Sequence, residues 1–165
     1  MGGDSLKTAF TAVLLLLAGC SGTGDPASSL VSFFDAVKTG KGSQAVEYLS
    51  QDALDSLEAG MSLAELKHNP DSSSAALAAY GMTLTPEEVS TITIETLLQR
   101  MIESPLFKGM MEDASLEVGE VSVAGSRATV NATVVFLDDT TSGTVEMVLE
   151  EDQWKITGEG LRFAL

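Results

Sequence analysis

The chain has 165 residues, with 24 Asp and Glu against 9 Lys and Arg and a single His, giving a formal net charge of −15. This length fits one domain, and two would be cramped. The acidic balance argues against a DNA- or RNA-binding surface, because holding phosphates needs clustered cations, and a single cysteine rules out an intramolecular disulfide and a cysteine-built zinc cage.

The N-terminus carries Lys7, then the apolar run Thr8–Leu17, then Ala18-Gly19-Cys20. A charged start, a short apolar stretch and small residues is the layout of a secretory signal peptide. The run falls short of the ~20 residues that span a bilayer. Leu17-Ala18-Gly19-Cys20 resembles the lipobox of bacterial lipoproteins at all four positions, and it holds the chain's only cysteine. The resemblance implies diacylglycerol on the Cys20 thiol, cleavage before Cys20 and acylation of the new amino terminus. Residues 20–25 then form the lipidated cysteine and a polar tether. An ordinary signal peptide with an incidental cysteine is the alternative. Residue 21 is Ser rather than Asp. In a Gram-negative cell that makes the outer membrane the default destination. Removing residues 1–19 deletes both Asp4 and Lys7, so the mature chain keeps its charge of −15.

Asp25-Pro26 reads as a helix start, and Leu30, Phe33, Phe34 and Val37 make one apolar stripe over 26–39, ended by Gly40. Two short helices are expected over 41–60, capped by Ser43 and Ser50. Ser62 and Glu65 have capping-box spacing, and Asn69-Pro70 breaks that segment. A low-complexity stretch, 71–81, is expected to be helical from Ser74 to Tyr80. Thr85-Pro86-Glu87-Glu88 is a second capped start, and Val89, Ile92, Leu97 and Met101 would share one face of a helix that Pro105 ends. A short apolar turn, Leu106 to Met111, follows.

After Asp113 the apolar period becomes two. Leu116, Val118, Val121 and Val123 form one strand, with Gly119 hinting at a bulge. Ala128, Val130, Ala132, Val134 and Phe136 form the next. Asp138 to Gly143 reads as a loop, then Val145, Met147 and Leu149 alternate. Glu151-Asp152 makes a turn, and Trp154 and Ile156 belong to the last strand, before Leu161 and Phe163 close the chain. Four strands with short links make an antiparallel meander with one buried face. The expected class is α+β: N-terminal helices packed on a curved four-stranded sheet, in one domain, 26–165, with a helical insertion around 60–112.

The opening Pro26…Leu30-Val-Ser-Phe-Phe-Asp-Ala-Val-Lys38-Thr-Gly40, the Ala45-Val-Glu-Tyr-Leu49 segment and the closing Val145…Glu151-Asp-Gln-Trp-Lys-Ile156 carry a resemblance. They resemble small bacterial lipoproteins of the NTF2-like, or cystatin-like, class, including DUF4878-type families. The resemblance implies a sheet wrapped around a helix into a cone. Some members of the class are isomerases or dehydratases with a pocket in that cone. Others are binding or dimerisation modules.

No catalytic constellation stands out. His68 has no nucleophile partner in a recognisable motif and reads as an exposed helix-end residue. Gly40-Lys-Gly-Ser43 lacks the spacing of a phosphate loop. Asp138 to Gly143 fails the calcium-loop pattern, because Thr140 and Ser142 stand at ligand positions. Asp35 and Glu47 each fit a solvated helix face. No cofactor and no metal site is expected.

Met82, Met101, Met110 and Met111 are numerous for this length. They read either as core filling or as an adaptable surface for a partner or a small apolar ligand. Val135, Leu137 and Val148 make the off-parity sheet face mildly apolar, which would suit a homodimer or another envelope protein. The expected function is a membrane-anchored, non-enzymatic envelope module that binds a ligand or a partner. The alternative is a pocket enzyme, an isomerase, dehydratase or hydrolase, acting on a small apolar molecule.

Overall fold

The computed structural model describes residues 24–137 and 139–164. The signal segment, the lipobox residues Leu17, Ala18, Gly19 and Cys20, most of the tether, and Asp138 lie outside the described residues. Among the described residues eight helices precede a sheet: α1 (Pro26–Lys38), α2 (Gly42–Glu47), α3 (Gln51–Gly60), α4 (Leu63–His68), α5 (Pro70–Ala79), α6 (Pro86–Thr91), α7 (Ile94–Glu103) and α8 (Pro105–Met111). The strands are β1 (Ser115–Ala124), β2 (Arg127–Phe136), β3 (Asp139–Glu150) and β4 (Gln153–Ile156), followed by a helix, α9 (Gly158–Ala164). The sheet runs β1-β2-β3-β4, all neighbours antiparallel. The fold is α+β.

Helix α1 forms where the sequence places it. The Asp25 carboxylate accepts the backbone N–H groups of Ala27 and Ser28, and Pro26 takes the first helical position. Leu30, Phe33, Ala36 and Val37 are buried, and this face packs on β1, β2 and β4. At its other end Lys38 Nζ donates to the Ala114 carbonyl at 2.6 Å, tying the helix to the start of the sheet.

The sheet's inner rows are Val121–Val130–Val145 and Val123–Ala128–Met147–Ile156, with Trp154 opposite Leu149. Val130, Val145, Met147 and Ile156 are all but sealed from solvent. The alternation therefore read the buried face of β2, β3 and β4, while on β1 Leu116, Val118 and Val121 are only half-buried and Val123 is 54% exposed. The bulge at Gly119 is present: pairing shifts between Val118 and Val121. Extra residues on one strand bend it and sharpen its twist. The Glu151-Asp152 turn forms with both residues at positive φ, 50° and 64°. Beyond β4 the segment Tyr48–Ser50 adds a single parallel bridge. Ser50 N–H donates to the Ile156 carbonyl at 3.0 Å, and Ile156 N–H donates to the Tyr48 carbonyl at 2.7 Å.

Several local expectations are corrected. Residues 139–143 are not a loop but the first part of β3, paired with Ala132–Phe136. The Thr and Ser there suit a pleated strand, and β2 pairs with the backbone groups on its side of the strand. The single helix expected from Pro86 to Pro105 is two. Ile92 leaves the helical region, and Thr93 Oγ1 caps α7 by accepting the Thr96 N–H at 3.3 Å. The Ser62–Glu65 box does not form, because Ser62 sits at φ 51° and its hydroxyl makes no cap bond. Capping needs an extended backbone to aim the side chain at the N–H groups. Ser43 does not cap α2, which starts one residue earlier at Gly42. Pro70 does not merely end α4 but opens α5 at its first position, four residues before the expected start. Leu106–Met111 is a helix turn rather than an irregular one, capped by Ser104 Oγ on the Phe107 N–H.

The Thr85 box forms in full. Thr85 Oγ1 accepts the Glu88 N–H at 3.2 Å, and Glu88 Oε2 accepts the Thr85 N–H at 2.7 Å. Thr85→Ala removes one half outright and is expected to cost about 1 kcal/mol. Urea unfolding should show a lower midpoint at unchanged slope, with Thr85→Ser close to wild type; an unmoved midpoint in Thr85→Ala would refute the assignment.

Candidate functional site

The sequence-chosen methionines divide between core and surface. Met82 and Met111 are 7% and 8% exposed and belong to the single apolar core. Met101, on α7, packs half-buried against its margin. Met110 is 39% exposed. It follows Leu106 by one helical turn on α8, and Leu106 is also exposed. A side chain at Gly81 would touch Leu106, Pro105 and Ser104, so the end of α5 abuts this helix. Tyr80, next to Gly81, is 63% exposed. Tyr80, Leu106 and Met110 therefore give the insertion an apolar surface. Tyr80 and Leu106 did not stand out in the sequence, because neither breaks the local helical pattern and only the approach of Gly81 to Leu106 brings the two segments together.

The acids singled out in the sequence stay in solvent. Asp35, Glu47 and His68 are exposed. Among the described residues the buried polar side chains are Ser29, Ser50, Ser73 and Ser104. Ser50 and Ser104 cap helices, and no carboxylate or imidazole joins them in the core. Among the described residues there is also no cluster of three metal-ligating side chains and no helix long and apolar enough to cross a membrane.

Among the described residues the surface carries open concavities, four of which bear on function. One, between α1 and α8, is bounded by Asp35, Lys38, Lys108 and Glu112. A second lies between α2, α3 and the β3–β4 turn, where Lys155 pairs with Glu150 at 3.6 Å. A third is a shallow dish on α4 beside His68. The fourth lies on the outer face of β1, β2 and β3 at the bulge and is lined by hydroxyl and amide side chains. None of the four has one of the sequence-chosen methionines on its wall.

On the same outer face, Val135 and Val148 are half-buried and Leu137 is 61% exposed. They are separated by the polar rows Thr133–Ser142 and Asn131–Thr144 rather than joined in one apolar patch. No family model, no curated protein and no solved structure matches this chain.

Proposed function

We propose that this protein is a membrane-anchored module of the bacterial cell envelope that works by binding rather than by catalysis. The observation that carries the reading is the four-residue lipobox Leu17–Cys20, ending in the chain's only cysteine. A folded domain opens directly behind it, at the Asp25-capped helix α1. Acyl chains on Cys20 hold the domain at a bilayer, each buried CH₂ contributing ~0.8 kcal/mol. The resemblance to NTF2-like lipoproteins supports a binding role. So do Leu106 and Met110, one turn apart and both exposed on α8, since neighbouring apolar side chains on a water-facing surface suit contacts with partners. The partner is a neutral or basic envelope protein, because a chain of charge −15 repels acidic ones.

The test is expression in bacteria fed radiolabelled palmitate. The wild-type chain should take up label and sediment with membranes. Cys20→Ala should carry no label and leave the membrane fraction. An unlabelled wild-type chain would sink the proposal.

A further inference from the structure

The concavity on the outer sheet face has a chemistry that the anchoring reading does not use. It is an open dish of about 400 Å³, in volume within the ~300–1,000 Å³ range of small-ligand sites. Its side-chain wall is Glu117 on β1, Asn131 and Thr133 on β2, and Ser142 and Thr144 on β3. The register places Glu117, Thr133 and Ser142 in one row across three strands, with Asn131 opposite Thr144 in the next. Gly119, at the bulge, contributes only backbone, so the floor stays low beside Asn131.

These polar groups are held in place before any ligand arrives. The Thr133 and Ser142 hydroxyls lie 2.8 Å apart, and Thr144 Oγ1 donates to Asn131 Oδ1 at 3.0 Å. That second bond fixes the amide so that its nitrogen faces away from Thr144. The two N–H groups of Asn131 and the Glu117 carboxylate have no partner among the described residues. Both residues are exposed. The site therefore offers amide donors, a carboxylate acceptor and hydroxyls that both donate and accept, and two of its residues, Thr133 and Thr144, also carry methyl groups.

We infer that this concavity binds a neutral oligosaccharide. The wall has no Lys or Arg to hold an anion, and the whole chain repels one. One carboxylate is too few for a tightly held divalent cation, which takes 6–8 oxygen ligands in the calcium case. A purely apolar molecule would leave the amide and carboxylate facing it unpaired. A sugar ring carries hydroxyls around its rim and C–H groups on its faces, and it meets each element of this wall. Adjacent strands lie ~4.8 Å apart and rows ~6.8 Å apart along a strand, so three strands and two rows offer the footprint of a short saccharide. The inference stands independently of lipid attachment at Cys20.

The experiment is saturation-transfer NMR on the purified full chain with maltotriose and, separately, chitotriose, together with amide shift mapping. At least one trisaccharide should bind with a Kd in the millimolar range, and the shifts should centre on residues 117–119, 131–133 and 142–144. Selective binding of chitotriose would define the class as N-acetylated sugars, and selective binding of maltotriose would define it as plain glucans. Asn131→Ala should weaken binding at least fivefold. Thr133→Val keeps the β-branched shape at a strand position, so the fold persists while one hydroxyl is lost, and it should weaken binding at least twofold. Absence of transfer to both sugars, shifts centred elsewhere, or unchanged affinity in both variants would overturn the inference.

Discussion

Trp154→Ala is expected to remove about 3–5 kcal/mol of folding free energy, the range for emptying a buried aromatic site. The residue is 5% exposed and lies opposite Leu149 on a strand of only four residues. That short strand meets β3 on one side and the Tyr48–Ser50 segment on the other, and α1 packs on it. Removing the indole leaves a void that three elements must collapse around together, and close-packed interiors relax only in part. In a domain of this size a loss of that order lowers the thermal midpoint by about 10–15 °C. Calorimetry on the wild type, Trp154→Phe and Trp154→Ala should give midpoints in that descending order. A Trp154→Ala midpoint within about 3 °C of wild type would mean that the indole is not part of the core.

The second large effect runs against helix propensity. Exchanging Gly for Ala inside an exposed helix normally stabilises by ~0.5–1 kcal/mol. At Gly42, the first residue of α2, a Cβ would sit 2.5 Å from the Gln99 carbonyl oxygen and 2.6 Å from its Cα. These are backbone atoms of α7, so no rotamer change relieves the contact. The α2–α7 pair must open, which disturbs Ala45 and Val46 on one side and Leu97 and Leu98 on the other, all buried. Gly42→Ala is expected to cost about 1–3 kcal/mol, the typical range for overpacking. At Gly109, inside α8, a Cβ would have open space around it to 4 Å, and Gly109→Ala should raise stability slightly. Opposite signs in urea titrations of the two variants are the expected result. If Gly42→Ala also stabilises, the close helix crossing is not as described.

The sequence exposed those elements whose signal is local. Asp25-Pro26 and Thr85-Pro86-Glu87-Glu88 cap their own helices, so four residues suffice to place each start. Val130, Val145 and Ile156 alternate with polar neighbours because one face of the sheet is buried, and burial writes that period directly. Misread segments are those that a distant partner decides. Thr140–Gly143 resembles a loop until β2 is beside it, and Gly42 reads as helix punctuation until α7 packs against it and leaves no room for a Cβ. The break at Ile92-Thr93 was hidden because Ser90, Thr91 and Thr93 offer several rival caps in a β-branched run. Helix α9 has no apolar stripe legible in Gly158–Ala164, and its cap, Thr157 Oγ1 accepting the Gly160 N–H at 3.2 Å, lies in what reads as the end of the last strand. It forms where β4 stops, with the Asp52 carboxylate accepting the Gly158 N–H at 3.0 Å and Gly160 lying against the backbone of Glu146. Of the surface residues, Met110 was chosen for its chemistry. The Asn131–Thr144 pair was not, because a polar residue on the off-parity face of a strand has the same signature whether it meets water or a ligand.

The two borders of the sheet bear on how the protein behaves when many copies crowd together. An open strand border is a template on which another chain can extend the sheet, and that is how fibres start. The β4 border already holds the Tyr48–Ser50 segment, which takes up both hydrogen-bonding groups of Ile156. At the β1 border the ladder is interrupted at Gly119-Glu120, and Glu117 and Glu120 stand exposed beside the interruption. A second copy laid along that border would meet a kinked backbone and bring like charges together. Along the β1 border and at Ile156, domains packed side by side are therefore poorly matched for joining their sheets.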